Sequence, residues 1–371
     1  MLRISRFTFI RVNNIMKKAR KEKNRLRSNN ETFHTKLRNT AMKNENAMPT
    51  MKDVAKEAGV ALGTVSKVIN GIPVGESYRL KVEEAAKKLG YQVNQYARGL
   101  KTNKSNSVAL IIPSLIHPYF ALLSHEISRA LAQRGYRTML FITEFDPQAE
   151  QSCIQLMKQN KVDGAIGLTY NPDLVLDESL PFVAIDRWFS ATVPCVASDN
   201  YGGGRMAAEK LHQLGCKKLA FFRTASSVSG ETDKRRMGFE AYCRSQNLDY
   251  GIVELIDTDD DDPRFEQFLR DHIVDGKMTV DGIFCGTDRV AFCIRELLTE
   301  MGFSVPQDVQ IIGFDGLRRF GEKEYYCSTI VQPVEAIAQT CVDLLLTEDR
   351  SKLPAMVCLP VSYASGGTTR E

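Results

Sequence analysis

The sequence predicts an α/β protein: a short helix-turn-helix unit of three helices near the amino terminus, then a large body of two α/β lobes. Three observations predict it. Three helix-period segments fall between residues 51 and 90, the first two joined by a tight turn at Gly59. Beyond residue 105, strand-like and helix-like segments alternate, as parallel sheets covered by helices on both faces require. Roughly 265 residues is long for one such sheet, so two side-by-side lobes with a cleft between them fit better.

Composition narrows the class. The 371 residues are 43% apolar and 25% charged, as in globular chains, which excludes collagen-like, fully disordered or disulfide-scaffold proteins. No stretch approaches the roughly 18 uninterrupted apolar residues of a membrane span, so no membrane partner is expected. The nine cysteines are scattered with no C-x-x-C pair, which suggests buried reduced thiols in a cytoplasmic protein and no zinc or other metal site. The net charge of +4 hides a gradient: residues 1–47 carry 13 Lys and Arg against 3 acids, 48–104 carry 10 against 5, and 105–371 carry 26 against 37. A basic front on an acidic body suits a polyanion partner for the amino-terminal part.

The elements follow in order. Residues 1–47 have few apolar residues at any regular spacing. Three readings compete for them: a disordered basic arm on DNA, a targeting segment, or an overcalled start, with Met48 favoured as the true start. Met51, Val54, Ala55 and Ala58 give a first helix closed by Gly59. Leu62, Val65 and Ile69 give a second, through Asn70. Ser77 is expected to cap a third, with Tyr78, Val82, Ala85, Ala86 and Leu89 inward and Gly90 closing it. In the body, strands are expected near 108–112, 137–142, 162–168, 182–185, 219–222, 252–255, 280–284 and 309–313. Helices are expected near 120–134, 147–159, 204–214, 233–246, 263–274, 289–300 and 334–346.

The second helix carries chemistry. Thr64, Ser66, Lys67 and Asn70 populate the face opposite its apolar stripe, where a helix in the major groove needs short hydroxyls for phosphates and longer groups for base edges. A solvated face of any three-helix bundle reads similarly, and the basic excess favours DNA.

Thr50-Met51-Lys52-Asp53-Val54-Ala55-Lys56-Glu57-Ala58-Gly59-Val60, followed by Thr64-Val65-Ser66-Lys67-Val68-Ile69-Asn70-Gly71, resembles the opening signature of the lac repressor (LacI/GalR) family. The likeness continues through Leu89-Gly90-Tyr91 and Asn94-Gln95-Tyr96-Ala97-Arg98-Gly99-Leu100, then over the body. It implies that Leu62, Gly63 and Lys67 choose bases, with Lys67 where Arg is commoner and Gly63 offering no side chain. Ala61 stands where the family usually has a capping Ser, a loss of about 1 kcal/mol. It also implies a hinge in which Asn94, Arg98 and Leu100 meet DNA, Leu100 wedging the minor groove at the operator centre.

For the body, the resemblance implies a periplasmic-binding-protein-like fold closing on a small effector. Asp186, Arg235, Asp288 and Asp315 match its polar contacts, and Phe120 and Trp188 are candidate apolar walls. Each Asp ends a predicted strand, where open α/β sheets place ligand sites, although Asp288 also suits a plain helix cap. The expected organisation is an extension over 1–47, a DNA-binding domain at 48–93, a hinge at 94–105 and an effector and dimerisation domain at 106–371. Lobe 1 is expected at 106–216 and 332–348, lobe 2 at 217–331 and 349–371.

Three other features carry less. Asp257-Thr258-Asp259-Asp260-Asp261-Asp262-Pro263 lacks the Gly and closing Glu of a calcium loop and reads as a solvated loop. Gly202-Gly203-Gly204 lacks a dinucleotide fingerprint and reads as a helix approach. No nucleophile–base set marks an enzyme, and no cofactor is implied. The expected function is a dimeric regulator, a repressor, binding a palindromic operator under control of a small effector. A sugar is the family default, a nucleoside or purine the alternative. A solute receptor without DNA function would leave 48–104 without a role.

Overall fold

The computed structural model describes residues 49–91, 105–176, 179–189, 192–258, 260, 262–319 and 324–371. The extension over 1–47 and the expected hinge contacts Asn94, Arg98 and Leu100 lie outside the described residues. The chain divides into two compact units at Asn94 and Gln95.

The first unit packs α1 (Met51–Ala58), α2 (Leu62–Ile69) and α3 (Glu76–Leu89) around Val54, Ala55, Val65, Val82 and Ala85. Thr50 and Asp53 form a reciprocal capping box at the start of α1, and Gly59 ends it in the left-handed conformation at φ 62°. Ala61 begins α2 with no side-chain cap. Ser77 does not cap α3: Gly75 is the cap, two residues earlier, so Ser77 lies within the first turn. Tyr78 is exposed rather than inward, and the buried stripe is Val82 and Ala85.

The second unit holds two six-stranded sheets. The first comprises β1 (Ser107–Ile112), β2 (Arg137–Ile142), β3 (Gly164–Gly167), β4 (Phe182–Ile185), β5 (Cys195–Ser198) and β13 (Met356–Leu359), in the order β13-β5-β4-β3-β1-β2, all parallel. The second comprises β6 (Lys218–Ala225), β7 (Asp249–Ile256), β10 (Gly282–Cys285), β11 (Gln310–Asp315), β12 (Ser328–Val331) and β14 (Ser362–Ala364), in the order β14-β12-β11-β10-β6-β7, antiparallel only at β14. A small hairpin, β8 (Ile273–Val274) and β9 (Lys277–Met278), stands where the sequence suggested the end of a helix. The short strands β3, β4 and β10 are buried along their whole length, which is why they read as unbroken apolar runs, whereas β5, equally buried, lies outside the expected strands.

The first sheet is covered by α4 (Pro118–Gln133), α5 (Pro147–Asn160) and α10 (Val334–Leu346). The second is covered by α6 (Asn200–Gln213), α7 (Lys234–Ser245), α8 (Pro263–Asp271) and α9 (Asp288–Glu300). The lobe boundaries differ from the expected ones in two places. The chain leaves the first lobe after Ser198, so α6 packs on the second sheet, its Ala207, Ala208 and Leu211 sharing a core with Phe221, Phe239 and Phe314. It also stays in the first lobe longer than expected after 332: β13 pairs with β5 in the first sheet, and only β14 rejoins the second. The chain therefore passes between the lobes three times, near 199, at 332–333 and at 360–361.

Of the nine cysteines, seven are buried, Cys293 is half-buried and Cys358 is exposed on β13. Among the described residues no group of three or more His, Cys, Asp or Glu is placed to hold a metal ion. No described helix is long and apolar enough to cross a membrane.

Candidate functional site

Two faces concentrate polar chemistry, one in each unit. On α2, Val65 is buried while Leu62, Gly63, Lys67 and Asn70 are exposed and Thr64 and Ser66 half-buried. Gly63, Lys67 and Asn70 recur at i, i+4 and i+7, one stripe of a helix. Lys67 makes no ion pair among the described residues, so its ammonium is available to a polyanion. The Asn70 amide donates to the Ser66 carbonyl at 2.7 Å, closing the carboxyl end of α2.

In the second unit a cleft of about 670 Å³ opens between the sheets. Its walls are the loops at the carboxyl ends of the parallel strands, where convergent strand ends leave a crevice. Asp186 directly follows β4, and Asp315 ends β11. Both hold positive φ, 55° and 134°, a conformation non-glycine residues avoid and functional sites retain. Burial pushes the Asp186 carboxyl up to about 6 despite the opposing pull of Arg235. Burial likewise drives Asp315 well above the ordinary carboxylate range.

Arg235, in the first turn of α7, organises the floor. Its Nε donates to Asn200 Oδ1 at 2.7 Å, and Nη1 donates to the Gly286 carbonyl at 2.6 Å and lies 3.7 Å from Asp315 Oδ1. Its guanidinium also stacks 3.7 Å above the Phe314 ring. Gln332, at the second crossing between lobes, ties the floor together. Its Nε2 donates to Asp315 Oδ1 at 2.8 Å, while its Oε1 accepts from Ser198 Oγ at 2.8 Å and Tyr119 OH at 3.1 Å. The Glu231 N–H donates to the Asp186 carbonyl at 2.9 Å, a second bond between lobes. Phe120 lines the cleft beside His117, ring centres 4.7 Å apart, and Tyr170 packs edge-on against Phe145 at 4.9 Å. Burial, reinforced by Arg289 and Arg235, presses the His117 pKa down to about 4, so the ring stands neutral.

Four of the six expected effector contacts therefore converge: Phe120, Asp186, Arg235 and Asp315 all line the cleft. Two do not. Trp188 is 54% exposed and is not among the residues lining the cleft. Asp288 is buried, but its carboxylate accepts from the Leu317 N–H at 2.7 Å and the Thr329 hydroxyl at 2.6 Å. It braces the loop after β11, while Thr287 caps α9. The acidic stretch is no plain solvated loop either: Asp257, Thr258 and Asp260 line the cleft, and Asp260 pairs with Arg289 at 3.1 Å. The residues that sequence reading passed over, among them Thr169, Arg187, Arg223 and Arg289, follow the ends of β3, β4, β6 and β10 or lie near them. The strand-end rule applied to every strand finds them.

One feature marks the cleft as unfinished. Among the described residues four buried side-chain polar atoms lack a hydrogen-bond partner, and three of them, Thr169 Oγ1, Thr258 Oγ1 and Asp315 Oδ2, belong to residues lining it.

Residues 50–94 match the bacterial regulatory proteins of the lacI family, and residues 105–347 match the periplasmic binding proteins and sugar binding domain of the LacI family. The sucrose operon repressor of Pediococcus pentosaceus is 33% identical over 86% of this chain and 99% of its own length. The ribose operon repressor of Halalkalibacterium halodurans is 32% identical over 82% of this chain and 92% of its own. A periplasmic binding protein/LacI transcriptional regulator from Alkaliphilus metalliredigens, solved with D-xylulofuranose, is 26% identical over 72% of this chain and 100% of its own, with a TM-score of 0.62. The lac repressor dimer bound to operator and an anti-inducer shares the fold at a TM-score of 0.74, with 23% identity over 88% of this chain and 100% of its own. With both family models matched in order along the chain and a relative 33% identical over 86% of it, the chain belongs to the LacI family of bacterial regulatory proteins.

Proposed function

We propose that this chain is a dimeric repressor that binds a palindromic operator through α2 and is controlled by a sugar held in the cleft of its second unit. The convergence of Phe120, Asp186, Arg235 and Asp315 on one cleft carries the effector reading. Three residues of its wall, Thr169, Thr258 and Asp315, also hold a buried polar atom without a partner, a cost of about 1–3 kcal/mol each that rearrangement around a ligand rich in hydroxyls would recover. Vicinal hydroxyls both donate and accept, so they suit carboxylates and a guanidinium on one floor, while Phe120 offers an apolar face to a sugar ring. The sucrose and ribose operon repressors among the relatives point the same way.

The proposed coupling is a population shift. A ligand touching Asp186 on one lobe and Arg235 and Asp315 on the other favours one degree of closure, and Gln332 shares that change with the chain crossings. The shift reaches DNA through the segment holding Asn94, Arg98 and Leu100. No cofactor or metal enters this scheme, and a cytoplasmic location follows from the DNA target.

Footprinting of the full chain on DNA upstream of its own gene, at two salt concentrations, tests the DNA reading. A protected palindrome that weakens with salt is expected. Lys67→Ala is expected to lose about 1–3 kcal/mol of specific binding with sugar affinity unchanged. Equal protection by the variant would argue against groove insertion of α2.

A further inference from the structure

We infer that the effector is an anionic sugar whose oxyanion, a phosphate ester or a carboxylate, sits on Arg187. The inference rests on the effector reading above and deepens it. Four arginines line the cleft: Arg187, Arg223, Arg235 and Arg289. Two are already paired closely with acids, Arg223 with Asp233 at 2.6 Å and Glu254 at 3.3 Å and Arg289 with Asp260 at 3.1 Å, while Arg235 is engaged by Asn200 and the Gly286 carbonyl with Asp315 Oδ1 3.7 Å away.

Arg187 differs. Among the described residues it has no ion pair, and one long bond, Nη1 to the Thr169 carbonyl at 3.4 Å, uses one of its five donors. The nearest acid acting on it is Glu150, whose two oxygens already accept the Tyr170 and Asn171 N–H groups at 2.8 and 2.9 Å. Burial strips part of its hydration, and its pKa falls accordingly. A half-buried guanidinium with spare donors on the cleft wall is a donor set for an oxyanion, which takes paired N–H bonds. A neutral sugar would leave those donors without a charged acceptor, since the Glu150 oxygens are already engaged. Asp257 also lines the cleft, but its carboxylate accepts the Ser227 N–H at 3.0 Å, so its charge is already partly engaged.

The test is calorimetric titration of the full chain at low salt with matched probes. These are ribose against ribose 5-phosphate, sucrose against sucrose 6-phosphate, and glucose against glucose 6-phosphate and glucuronate. At least one anionic member is expected to bind about tenfold to a hundredfold more tightly than its neutral parent, the range of one charge-assisted pair. A preference for the esters or for glucuronate separates phosphate from carboxylate. Arg187→Gln is expected to bring parent and anion within about threefold of each other, and Arg187→Lys to keep part of the preference. Neutral sugars binding as tightly as their anions, or a preference that survives in R187Q, overturns the inference and leaves the effector reading standing. Failure of every probe, neutral and anionic, would count against the sugar reading itself and against this inference with it.

Discussion

Gly238 sits on α7 one turn beyond Arg235, where α7 crosses α6. A Cβ added there would lie 2.0 Å from the Tyr201 carbonyl oxygen and 2.9 Å from the Arg205 nitrogen, both backbone atoms. Gly204 makes the reciprocal approach: its Cβ would lie 1.9 Å from the Arg235 carbonyl oxygen. Real Cβ contacts stay beyond about 3.0 Å, so Gly238→Ala forces the two helices about 1 Å apart. Alanine in a helix interior would by itself gain about 1 kcal/mol over glycine. Overpacking costs about 1–3 kcal/mol, and a backbone oxygen cannot turn aside as a side chain can, so the clash wins. With a backbone clash at 2.0 Å the cost lies toward the upper end, so the net expectation is a loss of up to about 2 kcal/mol in the second unit.

The functional loss should be larger, because Arg235 rides on the same helix with hydrogen bonds of 2.6 and 2.7 Å that a 1 Å shift breaks. Sugar affinity is expected to fall about tenfold to a hundredfold, since directional bonds weaken steeply outside their geometry. Urea unfolding followed in the second unit's transition, with calorimetric titration of the sugar, measures both. Gly63→Ala is the control: its Cβ meets nothing within 4 Å, so the same chemical change should leave α2 unstrained. A G238A protein as stable as the parent, with unchanged sugar affinity, would refute the close-approach reasoning.

Three further outcomes follow. Ala61→Ser supplies the missing amino-terminal cap of α2 and should stabilise the first unit by about 1 kcal/mol, read as an upward shift of its urea midpoint; no shift would mean the cap is not limiting. Asp186 keeps its proton to about pH 6 in the folded chain against an ordinary value of 3.8, so its stabilising contribution is present below the ordinary value and lost as pH rises through about 4 to 6. Asp186→Asn should therefore be more stable than the parent by up to about 3 kcal/mol at pH 7 and equal near pH 4, while losing sugar affinity; a pH-independent difference in unfolding free energy would contradict this. Trp188→Ala, off the cleft wall, should leave the sugar dissociation constant unchanged, and a clear weakening would return Trp188 to the site.

Local signals were readable where one segment carries its own instruction. Thr50 with Asp53, Gly59 and Gly90 mark helix ends through capping and left-handed closure, and α1 and α2 lie where their spacing places them. Asp186, Arg235 and Asp315 are legible as candidates because they lie at strand ends or match a family motif, and the structure brings them to one cleft. What stayed hidden depends on partners distant in sequence. The strands β5, β12 and β13 lie outside the expected ones, and β13 joins the first sheet only by pairing with Cys195–Ser198. The glycines at 202–204 looked like the approach to a helix, yet they lie within α6, and Gly204 lets α7 come close. Asp288 resembled a ligand contact or a cap because nothing in its own segment reveals Leu317 and Thr329, the groups it serves. Gln332 had no local mark; its importance comes from Ser198, Tyr119 and Asp315 meeting at a crossing.

The central claim is that the cleft controls the DNA grip, and one measurement meets it directly. Fluorescence anisotropy of the full chain on its footprinted operator should be compared without and with a saturating concentration of the tightest-binding sugar probe. The account expects the operator dissociation constant to change about 5- to 150-fold, the range of a 1–3 kcal/mol coupling, and the sugar's own affinity to change by the same factor when operator is bound. Identical operator affinity with and without saturating sugar would contradict it.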